Sequence, residues 1–172
     1  MSITISKVRL EDAYEYTACG IACWQSAYKG IVPDSYLKNM QKEIEQRAER
    51  IKKNLIEMTD GTYYCAKFEN KIIGQLSFGK SCDDDKSEAG EVFGIYLLAD
   101  FWDKGYGRQM MVYAINTLKN MDYQEIVVWV FEENHRARRF YERHGFLVDG
   151  ANKIIERGKP LTIIRYALNF AG

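Results

Sequence analysis

The chain of 172 residues has little of what many protein classes require. It holds only two prolines and two histidines, and no excess charge of either sign, since 24 Lys and Arg balance 24 Asp and Glu. Charge balance removes the global field that would recruit nucleic acid or an anionic membrane. Apolar runs are all too short to span a bilayer, and the first residues lack the basic-then-apolar layout of a secretion signal. A cytoplasmic protein is therefore expected. The four cysteines (Cys19, Cys23, Cys65, Cys82) form no CxxC pair and have no nearby His. Metal binding is not expected of them, and core packing as free thiols is.

What is present is an ordinary globular balance, 47% hydrophobic and 28% charged. At this length, with no repeat or linker, one domain over 1–172 is expected. Residues 3–9 alternate apolar and polar as a first strand. Asp12 stands where it can cap a helix carrying Tyr16, Cys19, Cys23, Trp24 and Ala27 on one side. Ile44, Ala48, Ile51, Leu55 and Met58 form the stripe of a second helix. Strands follow at 63–68 and 72–79, joined as a hairpin, and an acidic loop over 81–90 leads to a strand at 91–98. Next come a helix bearing Met111, Ala114, Ile115 and Leu118, a buried strand at 125–130, and a helix bearing Ala137, Phe140, Tyr141 and His144 that ends at Gly145. Short closing strands are expected at 146–148 and 161–168. The strand-helix-strand unit must cross over right-handed and parallel, which gives an α/β mixed sheet with helices on both faces. Ligands of such sheets lie at the carboxyl ends of the parallel strands.

The chemistry gathers in Asp103-Lys104-Gly105-Tyr106-Gly107, between a strand and a helix. Glycines allow close backbone approach and positive φ, and the first N–H groups of a helix have no internal partners. With the helix dipole, these suit a pyrophosphate, and Lys104 and Arg108 add charge. The run lacks the Gly-Lys-Ser/Thr of a P-loop and the third glycine of a dinucleotide fingerprint.

The stretch from Glu91 through Gly107 resembles the acyl-CoA-binding segment of the GNAT superfamily of N-acetyltransferases. Residues 133–146 (ENHRARRFYERHGF) resemble that family's next segment, Asn-x-x-Ala-x-x-Phe-Tyr-x-x-x-Gly-Phe, in the same order and separation. Trp24 to Leu37 is similar to the first helical region of a bacterial branch. The resemblance implies a mixed, mostly antiparallel sheet of about seven strands with about four helices. It implies acetyl-CoA as co-substrate, held by Leu97, Leu98, Asp103, Lys104, Gly105, Tyr106, Gly107, Arg108, Asn134 and Tyr141. A primary amine of a small molecule or a peptide N-terminus is the implied acceptor, attacked directly in a ternary complex, with a homodimer as a further possibility. Trp102 departs from the family pattern, which places Gln or Arg there, and lower cofactor affinity is expected from the loss of that polar side chain.

Acetyl transfer needs a base for the amine, a donor for the thioester oxygen and an acid for the leaving thiolate. The resemblance implies a base at Glu91, through water, with Glu88 and Asp100 as lesser candidates; a solvent-facing carboxylate at a strand start is the equal alternative. A backbone N–H near Leu97 is the implied oxyanion donor, the kind of contact typically worth roughly 3–4 kcal/mol. Tyr141 is the candidate acid, because a phenol's reference pKa of about 10 exceeds a thiol's of about 8.5. Asn134 either caps the last helix or bonds the pantetheine arm. Arg138 and Arg139 either approach phosphate or lie in water, and His144 is expected in packing or capping. Trp24, Tyr28, Tyr36 and Trp129 are the candidate lining of the acceptor site, and Asp83, Asp84, Asp85 and Glu88 hint at a polyamine. A non-catalytic acyl-CoA sensor is the alternative function; it needs the glycine loop but neither Glu91 nor Tyr141.

Overall fold

The computed structural model describes residues 2–58 and 62–170. Seven strands, β1 (Thr4–Lys7), β2 (Tyr63–Phe68), β3 (Lys71–Lys80), β4 (Gly90–Leu97), β5 (Glu125–Phe131), β6 (Leu147–Glu156) and β7 (Pro160–Asn169), form one sheet in the order β1-β2-β3-β4-β5-β7-β6. All neighbours are antiparallel except β4 and β5, which are parallel. The helices are α1 (Ala13–Ala27), α2 (Asp34–Lys42), α3 (Ile44–Glu57), α4 (Tyr106–Asn120) and α5 (His135–Arg143).

Each element follows from local chemistry. Glu69 and Asn70 both take positive φ, as a two-residue hairpin requires, so β2 turns directly into β3. The apolar stripe of α4 (Met110, Met111, Ala114, Leu118) is fully buried against one face of the sheet, together with Tyr141 and Phe146. On the opposite face, α1 packs with Cys19, Cys23, Cys65 and Ile72, while Tyr28, Val32, Leu37 and Met40 meet Phe131 and Ile163. The Cys19 and Cys23 sulfurs lie 4.0 Å apart inside this core.

Three expectations need correction. A fifth helix, α2, occupies 34–42, where only Leu37 and Met40 are buried and so leave too short an apolar pattern to detect. Strand β6 runs to Glu156 rather than stopping at 148, because Gly150 (φ 92) and a register shift between Val148 and Asn152 interrupt its alternation. Asp12 precedes α1 but makes no side-chain cap; its carboxylate is taken by Arg9 and Lys67.

One irregularity positions everything else. Strands β4 and β5 are registered only at Gly90, Glu91 and Val92, opposite Ile126, Val127 and Val128. Beyond that point β4 continues with β3 and β5 with β7, so the two halves of the sheet diverge. A bulge opposite Ser77 and Phe78 bends β4 away at the same place.

Candidate active site

The divergence opens a cleft of about 970 Å³. One end is the start of α4. Asp103 (φ 60) and Gly105 (φ 83) turn the chain into that helix, and no side chain caps it. Its first N–H groups are therefore left for a ligand. A side chain at Gly105 would stand in open space, and one at Gly107 would meet Phe140 of α5 at 3.4 Å. That is ordinary contact distance, so α5 packs over Gly107 without requiring glycine there, while Gly105 supplies a backbone turn that lines the cleft. Arg108 lines it too, whereas Lys104 points over the Phe101 ring and Tyr106 is buried among Phe68 and Phe101.

Trp102 also faces the cleft. Its Nε1 donates to the Leu97 carbonyl at 2.8 Å, and the Arg136 guanidinium lies 3.8 Å from its ring centre. The indole thus carries a cation from α5 to the same wall as the α4 N-terminus. Arg136 also contacts Asp103 at 3.5 Å.

The middle of the cleft is backbone. The Leu98 N–H bonds to the Ile73 carbonyl at 2.9 Å. Alternation in an antiparallel ladder then turns the N–H and C=O of Leu97, and those of Ile95, away from β3 and into the gap. Leu98 itself is committed to β3 and does not line the cleft.

Opposite stands Tyr141, almost wholly buried in α5 against Phe140, Phe146 and Tyr166. Its hydroxyl has no protein hydrogen-bond partner among the described residues, and burial pushes its pKa well above the ordinary tyrosine value. The other nearby phenols are committed: Tyr28 donates to Tyr96 at 3.0 Å, and Tyr166 lies between Arg138 and Glu142. Asn134 accepts the Ala137 N–H at 3.2 Å as the α5 cap and also lines the cleft, so its amide nitrogen alone is left to donate. Arg138 is held by Tyr166 and the Glu132 carbonyl, Arg139 is exposed, and His144 Nδ1 contacts the Phe140 carbonyl at 2.8 Å while its ring packs on Phe140.

The far end is aromatic. Trp24, Tyr28 and Trp129 line it, and Tyr96, Phe131, Ile155 and Arg157 join them. Tyr36 does not line it, being packed beneath Gly158. The acidic loop does not face the cleft either. Asp83 and Asp85 are bound by the buried Arg165, which also holds Asp149 at 2.6 Å, and Trp129 Nε1 donates to Asp83 at 2.8 Å.

Glu91 is neither a cleft wall nor a solvent-facing carboxylate. It is 7% exposed and accepts hydrogen bonds from Ser81 Oγ and the Cys82 N–H, each 3.1 Å. Burial raises its pKa, partly opposed by those two donors. The Asp83 N–H donates to Ser81, so a hydrogen-bonded chain joins Trp129 on the cleft wall to Glu91 behind it.

The sequence model of the acetyltransferase (GNAT) family matches residues 24–146, a span that runs from the end of α1 through β4, α4, β5 and α5. The chain belongs to the GNAT family. Its acetyl donor is therefore acetyl-CoA, and it is an N-acetyltransferase. Among its relatives is the N-acetyltransferase YuaI of Bacillus subtilis, 26% identical over 133 residues, covering 77% of this chain and 73% of YuaI. The spermidine N(1)-acetyltransferase of Thermoplasma acidophilum is 23% identical over 163 residues, 91% of this chain and 98% of that enzyme. The fold is also that of the PaiA N-acetyltransferase of Thermoplasma acidophilum solved with coenzyme A, with a TM-score of 0.78 at 18% identity over 98% of this chain and 99% of that one. Among the described residues no helix is long and apolar enough to cross a membrane.

The residues missed by sequence reasoning are Tyr96, Arg136 and Arg157. Tyr96 looks like any apolar strand residue. Arg136 is one of four arginines on α5 and its flank, and nothing in the pattern separates it from the others. Arg157 precedes Gly158 in a turn, and only the tertiary fold brings that turn over the cleft.

Proposed function

We propose that this acetyltransferase moves the acetyl group directly from acetyl-CoA to a primary amine, with both substrates in the cleft at once. The pyrophosphate takes the uncapped α4 N-terminus beside Arg108 and Arg136, and the pantetheine arm lies between β4 and β5. The amine enters from the aromatic end. Its nitrogen attacks the thioester carbonyl, so that a C–N bond forms as the C–S bond breaks. The Leu97 N–H, turned into the gap by strand alternation, receives the developing negative charge on oxygen. The departing thiolate takes its proton from Tyr141. The amine's own proton leaves through water toward Glu91, whose carboxylate burial makes more basic than an exposed one.

The observation that carries this reading is Tyr141: a buried residue, held protonated, whose hydroxyl is unpartnered by the protein and reaches the cleft. A general acid must keep its proton until the thiolate forms, and burial secures that. The acceptor remains a small-molecule amine or a peptide N-terminus. The test is release of free thiol from acetyl-CoA across an amine panel, for the wild type and for Tyr141→Phe. Cofactor binding with no turnover on any amine would defeat the reading. On the edge strand β6, the exposed Leu147, Val148 and Ile154 support pairing of two copies, which sedimentation tests.

A further inference from the structure

The acceptor end of the cleft has an unusual charge pattern. Its walls are Trp24, Tyr28, Tyr96, Phe131 and Ile155, and among the described residues its one charged side chain is Arg157. Asp103 is the sole carboxylate among the described lining residues, and it sits at the opposite end, against Arg136. Arg157 is half-buried, and no carboxylate among the described residues lies within ion-pair reach of it. One of its five N–H donors is used, by the carbonyl of its neighbour Glu156 at 2.7 Å. The contrast with Arg165 is direct, since three carboxylates surround that guanidinium.

Arg157 is also held in place. Its backbone N–H donates to the Lys159 carbonyl at 3.1 Å, closing the β6–β7 turn through Gly158 at φ 77. That turn rests on α2: a Cβ on Gly158 would lie 3.1 Å from Tyr36 Cβ and 3.2 Å from Pro33 Cγ. Only glycine allows both the conformation and the approach. Arg157 lines the cleft together with the paired Tyr28 and Tyr96, and its positive field reaches their hydroxyls. A planar fork with unspent donors, set in an aromatic wall, matches a carboxylate and repels a polycation.

We propose that the acceptor is an amine bearing a carboxylate, of the amino-acid type with an apolar body, and that Arg157 binds that carboxylate while the aromatic wall takes the body. The proposal rests on the acetyl-transfer reading above and deepens it. It also separates this chain from a polyamine acceptor, for which the cleft offers no carboxylate at this end.

The experiment compares matched acceptors, phenylalanine against phenethylamine, with spermidine as a third, by thiol release from acetyl-CoA. Phenylalanine is expected to exceed phenethylamine in kcat/KM by about 10- to 100-fold, the scale of a hydrogen bond to a charged group. Arg157→Gln should bring the two within about 2-fold, and Arg157→Lys, which keeps charge but loses the fork, should fall between. Equal rates for the pair in the wild type, or spermidine as the best acceptor, would overturn the proposal. A second arm needs no turnover: calorimetry of N-acetylphenylalanine and N-acetylphenethylamine with the CoA-bound protein. Arg157-dependent preference for the carboxylate product supports the site even where no amine reacts, an outcome that would sink acetyl transfer alone. Equal binding of the two products, or none, overturns the anion site.

Discussion

Trp102 and Arg136 meet face to face at the cleft, the guanidinium carbon 3.8 Å from the ring centre and the indole N–H fixed on the Leu97 carbonyl. The position that departs from the family's polar preference therefore still delivers a charge, borrowed from the next helix. A cation over an indole is typically worth about 0.5–2 kcal/mol. Trp102→Ala and Arg136→Ala are each expected to weaken CoA binding by roughly 2- to 30-fold. Calorimetric titration of the double variant should show little further loss, because the two side chains act as one unit.

Tyr141→Phe removes a hydroxyl that no protein group uses, so folding should be unaffected and CoA should bind as before. Turnover should fall by about 10- to 1,000-fold, with chemistry shown to be rate-limiting by single-turnover measurement. Because burial holds the phenol above its ordinary pKa, no loss of activity from its deprotonation should be seen through the neutral and mildly alkaline range.

Glu91 gives a prediction for stability as well as for rate. Its carboxyl holds a proton more tightly in the folded than in the unfolded protein. The stability this contributes is complete below the unfolded value of about 4.3 and is lost as pH rises through the folded value. Glu91→Gln keeps an oxygen acceptor for Ser81 and Cys82 but cannot ionise. Urea unfolding midpoints should show the variant gaining on the wild type as pH is raised from about 4 to about 8. An unchanged difference across that range would place the carboxyl at its ordinary pKa. Its turnover should fall by about 100-fold or more if it is the proton's destination.

Arg165 is the one buried guanidinium among the described residues, 4% exposed, and the partly buried carboxylates of Asp83 and Asp149 are bound to it. The Asp85 arm, mostly in water, adds little. Arg165→Ala leaves two partly buried carboxylates facing each other and should cost about 3–5 kcal/mol by chemical denaturation. It should also free the 81–85 loop, read as faster amide exchange at Cys82 and Asp83.

The sequence announces the fold through features that local chemistry controls: the alternation of β2 and β3, the buried run of β5, and the stripe of α4. The turn proposed to bind phosphate is equally legible, because glycine at 105 takes positive φ without steric cost. What it hides depends on partners far apart in the chain. Asp83 and Asp85 look like a lure for a cation until Arg165 is brought to them from β7. Glu91 looks exposed at a strand start until Ser81 and Cys82 fold over it. Tyr36 lies under the Gly158 turn rather than in the site, and Arg157 becomes visible only when that turn is placed.

The short register between β4 and β5 leaves the protein with two sheet edges inside its own body. Ile95 and Leu97 on one side, and by the same alternation Trp129 and Phe131 on the other, turn peptide groups toward a space where a strand would otherwise fit. The Phe131 carbonyl is already taken by the Asn134 N–H, the Leu97 carbonyl by the Trp102 indole and the Trp129 N–H by the ladder at Val92, but the Ile95 groups and the Leu97 N–H await a partner. On the reading proposed above, the pantetheine arm, itself built of amides, would serve as the absent strand and make the donor substrate a structural member of the sheet while it is bound. Saturating CoA is expected to slow exchange of the Ile95 and Leu97 amides more than those of α3, and to raise the melting temperature with its concentration.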